Sequence, residues 1–182
     1  GRLRLQAFEL CSSRPTELQQ LQQLLLTAVT RTAVKGPPTG GLGATVGTCL
    51  ATTWTAEGPN AARQLYRKLL LLPPAGGDMF KTMVELESGR IGANSAAMGS
   101  DQPKLQHDNG KLAIDAVQRT RAVYDAWIAA YGAADVELWV RYALFEQQNS
   151  RQGPGKVYWR AVKELQDPDE FILQYRSRVG LV

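Results

Sequence analysis

With 182 residues, 44% apolar and 21% charged side chains, the chain is long enough to bury a core and too apolar to remain disordered. Its net charge of +4 and pI near 9.2 permit contact with nucleic acid or an acidic partner and require neither. No apolar run approaches the roughly 18 residues of a membrane span, and Leu69-Leu70-Leu71-Leu72 is far too short, so no membrane partner is expected. Gly1-Arg2-Leu3 offers no initiator Met, apolar core or cleavage site. The chain therefore reads without a secretory signal, and as a piece of a longer protein. Two cysteines, Cys11 and Cys49, are too few for a disulfide framework and favour a reducing compartment, cytosol or nucleus.

Helical periodicity dominates from the start. Thr16-Glu17-Leu18 opens a helix with Thr16 as its cap, and Leu18, Leu21, Leu25 and Val29 follow at helical spacing. Gly36-Pro37-Pro38-Thr39-Gly40-Gly41 ends it. A second helix is expected from Ala44 to Glu57. Gly58-Pro59-Asn60 is a turn suited to start the next helix, Ala61 to Leu72. Pro73-Pro74-Ala75-Gly76-Gly77 stops that one, and Asp78 is placed to cap Met79 to Ser88. Residues 89–110 are rich in Gly, Ser, Asn, Asp and Gln and read as an inserted loop. Lys111 to Tyr131 resumes a long helix, with Gly132 as its stop. Asp135 caps Val136 to Gln148, and Gly153-Pro154-Gly155 breaks it. Lys156 to Leu165 follows, and Asp167-Pro168-Asp169 opens a last helix to about Arg178. No segment alternates at period two, so no sheet is expected.

The helices recur. Ala62-Arg63-Gln64-Leu65-Tyr66, Arg121-Ala122-Val123-Tyr124 and Gly155-Lys156-Val157-Tyr158 each carry an aliphatic residue followed by Tyr. Tyr124 and Tyr158 are 34 positions apart, and Tyr66 to Tyr124 comes to a similar period once the insert is removed. Between them, Trp139, Tyr142, Phe145 and Glu146 match Phe80, Met83, Leu86 and Glu87. Leu50, Thr53, Ala56 and Glu57 match more weakly, and Phe8-Glu9 reads as the tail of an earlier copy. Spacings near 30 to 34 residues mark paired helices that repeat. The fold expected is all-α, an antiparallel helix-pair solenoid of four or five repeats in a single domain, residues 1–182.

This pattern resembles the half-a-TPR (HAT) repeat of RNA-processing proteins. The family's first helix carries Trp, Tyr and an aromatic followed by Glu, as in Trp139, Tyr142, Phe145 and Glu146. Its second carries Ala-Arg-x-aliphatic-Tyr-x-Arg-Ala, which Val157-Tyr158-Trp159-Arg160-Ala161 and Ala62-Arg63-Gln64-Leu65-Tyr66 match in part. Residues 50–57 depart from it, with Thr53 where Tyr belongs. A narrower resemblance rests on Tyr131-Gly132-Ala133-Ala134-Asp135-x-x-Leu138-Trp139 and on Tyr158-Trp159-Arg160-Ala161, and is to a nucleolar member of the family. It implies a scaffold in the small-subunit processome, which matures the 18S rRNA precursor, and a place in the nucleolus. The partners implied are other proteins of a large ribonucleoprotein assembly.

Reactive chemistry is sparse. Cys11, Cys49 and His107 are scattered singly, so neither a metal site nor a nucleophile–His arrangement forms from them. Gly41-Leu42-Gly43-Ala44-Thr45-Val46-Gly47 has the glycines of a phosphate loop, but Pro37-Pro38 stands where a strand should be and no Gly-Lys-Ser/Thr follows. A flexible link between repeats is the reading preferred. Glu87 and Glu146 could serve as paired acids, yet their equivalent repeat positions point to bonds with a neighbouring helix. No catalytic role, cofactor, metal or small-molecule substrate is therefore expected. Tyr66, Phe80, Tyr124, Trp139, Tyr142, Phe145 and Tyr158 read as repeat core. Trp159 cannot share the direction of its neighbour Tyr158, so it faces elsewhere. Lys156, Arg160 and Lys163 fall on one face of the last full helix, diluted by Glu164, and Arg63 and Arg67 do likewise earlier. These cations could meet a partner or an RNA backbone. The alternatives to a processome scaffold are a HAT-repeat scaffold of pre-mRNA splicing or 3′-end cleavage, and direct RNA binding through this basic face.

Overall fold

The computed structural model describes residues 15–33, 41–73, 75–89, 109–150 and 152–180. Among them the chain forms eight α-helices and one π-helical turn, with no strand. In chain order these are α1 (Pro15–Ala33), α2 (Leu42–Glu57), α3 (Pro59–Leu70), α4 (Gly77–Glu87), α5 (Asn109–Tyr131), α6 (Val136–Asn149), α7 (Gly153–Glu164) and α8 (Asp169–Tyr175), then the π turn Arg176–Gly180. Phe8, Glu9, Cys11, His107 and residues 90–108 of the expected insert lie outside the described residues. The chain gathers into two compact units, Gly1–Thr120 and Arg121–Val182, whose boundary falls inside α5.

In the first unit, α1 turns Leu18, Leu25 and Val29 inward and packs on α2. Gly58, at φ +92°, makes a one-residue link to α3 that few other residues would adopt, and Pro59 enters the helix where its missing N–H costs nothing. The helix α3 then folds back along α2, burying Leu65, Tyr66 and Leu69. Its neighbour α4 lies against α2 at unusually short range. A Cβ at Gly47 would stand 2.6 Å from Thr82 Oγ1, and one at Gly43 3.1 Å from the Ala75 carbonyl oxygen. Gly43 and Gly47 are thus neither a phosphate cradle nor a flexible link. They are one turn apart on a helix that begins at Leu42, and their lack of side chains lets two backbones approach. Val46, Cys49, Leu50, Met79, Phe80 and Met83 fill the seam.

The second unit is built on α6, which packs on α7, α8 and the π turn. Its core holds Leu138, Trp139, Val140, Ala143, Val157, Ala161 and Phe171. Asp135 caps α6 as its position suggests, accepting from the Leu138 N–H at 3.0 Å. Gln166 N–H donates to the Ala133 carbonyl at 3.0 Å, and Gln147 Nε2 to the Val179 carbonyl at 2.8 Å, pinning both ends of the unit.

Several boundaries differ from the sequence reading, for local reasons. Gly153-Pro154-Gly155 does not break a helix but forms the first turn of α7, because Pro fits where the first N–H groups have no intrahelical acceptor. The break falls before it, at Ser150, whose hydroxyl accepts from the Gly153 N–H at 3.1 Å. Asp78 sits inside the first turn of α4 and makes no cap bond, since Gly76, at φ +134°, already starts the helix. The helix α3 stops at Leu70, α5 starts at Asn109, and the last α-helix ends at Tyr175 where the ladder widens to π spacing. Thr16 lies within α1, which opens at Pro15.

Cys49 is fully buried in α2, and burial pushes its thiol up from 9.0 to about 11, opposed in part by Thr53. The folded chain therefore holds this proton to higher pH than the unfolded chain. The associated stability should be complete below about pH 9 and fall by roughly 2–3 kcal/mol as pH rises to about 11. In a Cys11→Ser variant, a thiol reagent at pH 8 should leave Cys49 unlabelled until urea unfolds the chain; rapid native labelling would contradict this packing.

Candidate interaction surface

Glu87 is the last residue of α4 and Glu146 lies in the last turn of α6, and only 6% and 4% of their surfaces remain exposed. Carboxylates that deep need charged donors. Arg63, on α3, supplies Nε at 2.6 Å and Nη2 at 3.0 Å to the two oxygens of Glu87, and Arg119 on α5 adds Nε at 2.9 Å. Arg121, also on α5, clasps Glu146 with Nε at 2.6 Å and Nη2 at 2.9 Å. These carboxylates hold the Arg63 and Arg121 guanidinium groups above their ordinary pKa. The two clasps share a register. Each arginine stands three residues before a buried tyrosine, Tyr66 or Tyr124, and 24 or 25 residues before its glutamate.

A weaker version precedes them. Gln22 on α1 donates to Thr53 Oγ1 at 3.1 Å and to Glu57 Oε2 at 3.4 Å. Thr53 also donates to the Cys49 carbonyl at 2.8 Å, so a threonine can be buried where a tyrosine would otherwise belong. After the second clasp, both halves change together. Gly155 stands three residues before Tyr158, and Arg178 lies at the acid's place, where it bonds Glu137 Oε2 at 2.9 Å instead.

The aromatic positions lie beside these clasps. Phe80 meets Tyr66 edge-on, with ring centroids 6.2 Å apart. Tyr124 stacks on Tyr142 at 4.7 Å and touches Phe145 at 5.4 Å. Trp139 is fully buried and donates Nε1 to the Gly132 carbonyl at 2.8 Å, so the Gly132 stop and the tryptophan form one joint. Tyr158 rests against Phe171 and Tyr175. Burial pushes the Tyr142 hydroxyl up to about 12.

The four residues read as partner contacts separate into two kinds. Arg160 is engaged by neighbouring side chains at the surface. It bonds Asp125 at 2.5 Å and Glu164 at 2.9 Å, and its guanidinium lies 5.5 Å from the centroid of the Trp139 ring. Arg63 is likewise committed, to Glu87 and the face of Trp54, which leaves Arg67 as the exposed member of the earlier pair. Lys156, Trp159 and Lys163 share the outward face of α7, with Trp159 72% exposed. Neither lysine forms an ion pair among the described residues. Positions in the same register earlier in the chain also face outward: Gln64 and Arg67 on α3 with Leu71 just after it, and Ala122, Asp125 and Ala129 on α5. Sequence reading missed Arg119, Arg121 and Asp125, although the Arg-x-x-Tyr spacing of Arg63 and Arg121 was there to find.

Among the described residues, no group of three or more His, Cys, Asp or Glu side chains is placed to hold a metal ion, and no helix is long and apolar enough to cross a membrane. The chain matches no model of a known protein family, no curated protein and no solved structure.

Removing one partner of a buried pair leaves the other charged and dry. Arg121→Ala should lower stability by about 2–3 kcal/mol, with the Arg121→Ala/Glu146→Ala double variant losing clearly less than the sum of the singles. Additive losses in urea denaturation would mean that the clasp contributes nothing. Gly153→Ala places a Cβ onto Glu146 Oε2 and 2.8 Å from its Cβ. The helix-propensity gain of about 1 kcal/mol is smaller than such overpacking costs, so a net loss of about 1–2 kcal/mol is expected by the same assay.

Proposed function

We propose that the chain is a helical-repeat scaffold that works by holding other proteins of a ribonucleoprotein assembly, without a covalent step. The observation that carries this reading is the recurring clasp. An arginine three residues before a tyrosine reaches the glutamate in the last turn of the following helix in two copies, and Gln22 with Glu57 forms a third, weaker one. One interaction repeated at a fixed register suits helix pairs stacked in a solenoid, whose usual work is to present an extended binding surface. Both buried glutamates are engaged by guanidinium groups, which leaves them poor candidates for acid–base chemistry.

The assembly favoured is the small-subunit processome. Tyr131-Gly132-Ala133-Ala134-Asp135, Leu138-Trp139 and Tyr158-Trp159-Arg160-Ala161 resemble the C-terminal end of U3 small nucleolar RNA-associated protein 6. Within that stretch the Gly132 carbonyl accepts from Trp139 and Asp135 caps the helix of Trp139, so the resembling residues are tied to one another. On this reading the protein supports pre-18S rRNA processing in the nucleolus. A HAT-repeat scaffold of pre-mRNA splicing or 3′-end processing shares the repeat but not the junction. Direct RNA binding draws less support, because Arg160 pairs at the surface with Asp125 and Glu164, and Lys156 and Lys163 are the cations of the stripe without an ion pair among the described residues.

A tagged chain expressed in cells should concentrate in the nucleolus and co-purify U3 RNA with nucleolar proteins. Recovery of spliceosomal or cleavage factors in their place would overturn the processome assignment.

A further inference from the structure

The outward face of α7 is unlike its counterparts. On and just after α3 the same positions carry Gln64, Arg67 and Leu71, and on α5 Ala122, Asp125 and Ala129, with no aromatic among them. On α7 they carry Lys156, Trp159 and Lys163. Because this register faces solvent in every copy, the 72% exposure of Trp159 belongs to a surface position and does not reflect a core left open. An exposed indole of this kind offers far more apolar area than its surroundings and is the commonest type of binding anchor. Tyr158 backs it edge-on, with centroids 5.4 Å apart, and Tyr158 is itself braced by Phe171 and Tyr175. The indole therefore stands on a packed aromatic base.

Charge selects the partner. Arg160 pairs with both Asp125 and Glu164, so that with Lys156 and Lys163 three cations stand against two acids and the face keeps one net positive charge. Lys156 and Lys163, neither in an ion pair among the described residues, stand on either side of Trp159, seven residues or about 10 Å apart along the helix. Two lysines make too short a track to follow a nucleic-acid backbone, where affinity grows with the number of phosphates neutralised. They do match two carboxylates two helical turns apart.

We infer that the Lys156–Trp159–Lys163 face of α7 docks an acidic amphipathic helix of a partner protein, its two carboxylates meeting the lysines and an apolar side chain between them covering the indole. The inference rests on the protein-scaffold reading above and names the surface and partner chemistry of that scaffold.

Three probes test it by fluorescence anisotropy with the full chain: a labelled helical peptide of about 20 residues with Glu-x-x-Leu-x-x-x heptads, the same composition shuffled, and an oligouridylate of about 20 nucleotides. The patterned peptide should bind at least about fivefold tighter than the shuffled one. Trp159→Ala should weaken it about tenfold or more, and Lys156→Glu/Lys163→Glu should weaken it similarly and flatten its salt dependence. All three side chains are exposed, so far-UV circular dichroism should not change. Equal binding of patterned and shuffled peptides, or a Trp159→Ala affinity matching the unsubstituted chain, overturns the inference. So does oligouridylate binding that these substitutions abolish while the peptide stays unbound. Failure of the co-purification alone removes the processome assignment and leaves the surface intact. Failure of the peptide alone, with U3 RNA still recovered, removes the surface and leaves the assignment.

Discussion

A buried carboxylate cannot be left alone. Glu87 and Glu146 each sit at the closing turn of a helix, almost wholly out of water, and each would cost several kcal/mol of desolvation without a charged partner. The partner comes from the helix before it in the chain, Arg63 or Arg121, in two-point contact. Much else follows from that contact. It fixes which face of the arginine's helix meets the glutamate's helix. Three residues on, it sets the tyrosine against the aromatic or apolar positions of the same glutamate-bearing helix, as in the Tyr66–Phe80 and Tyr124–Tyr142 contacts. Buried ion pairs are weak sources of net stability, but here a slipped alignment would strand both charges, which favours the correct register. That suits a protein whose helices look alike and must each find the correct neighbour.

Small residues complete what the charges begin. Gly47 lets α2 approach Thr82 of α4 more closely than a Cβ would allow, Gly43 leaves a tight fit against Ala75 and Gly76, and Gly153 makes room for Glu146 itself. Gly132 ends α5 and offers its carbonyl to Trp139. These glycines act by what they omit, at points where a neighbouring backbone or functional group fills the space. Threonine has a related role at Thr53. There a hydroxyl bonded to the Cys49 carbonyl can be buried, and it also accepts from Gln22.

The same economy of charge shapes the surface. Arg160 is the busiest cation of α7, holding Asp125 and Glu164 and covering the Trp139 ring. Because it pairs with both acids, Lys156 and Lys163 form no ion pair among the described residues, and the surface around Trp159 keeps one net positive charge. The basic stripe of the sequence, Lys156, Arg160 and Lys163, is thus divided by the fold into one surface clamp and two outward charges.

The helices and most of their ends were legible in the chain, because apolar spacing, Asp135 and the Pro and Gly punctuation act over a few residues. So was the recurrence of Tyr66, Tyr124 and Tyr158, and the difference between Tyr158 and Trp159, since adjacent helical residues cannot point the same way. Where local rules competed, the reading failed. Gly153-Pro154-Gly155 carries the composition of a break and the geometry of a helix start, and Gly43 and Gly47 have the spacing of a loop and the burial of a helix seam. The arginine partners of Glu87 and Glu146 lie 24 to 32 residues away, beyond the reach of any local pattern. What the sequence determined by itself was an all-helical chain with a repeating register, because periodicity is written into neighbouring residues. Which cations are consumed and which face outward was decided only by the tertiary structure, because that depends on which distant carboxylate each guanidinium reaches first.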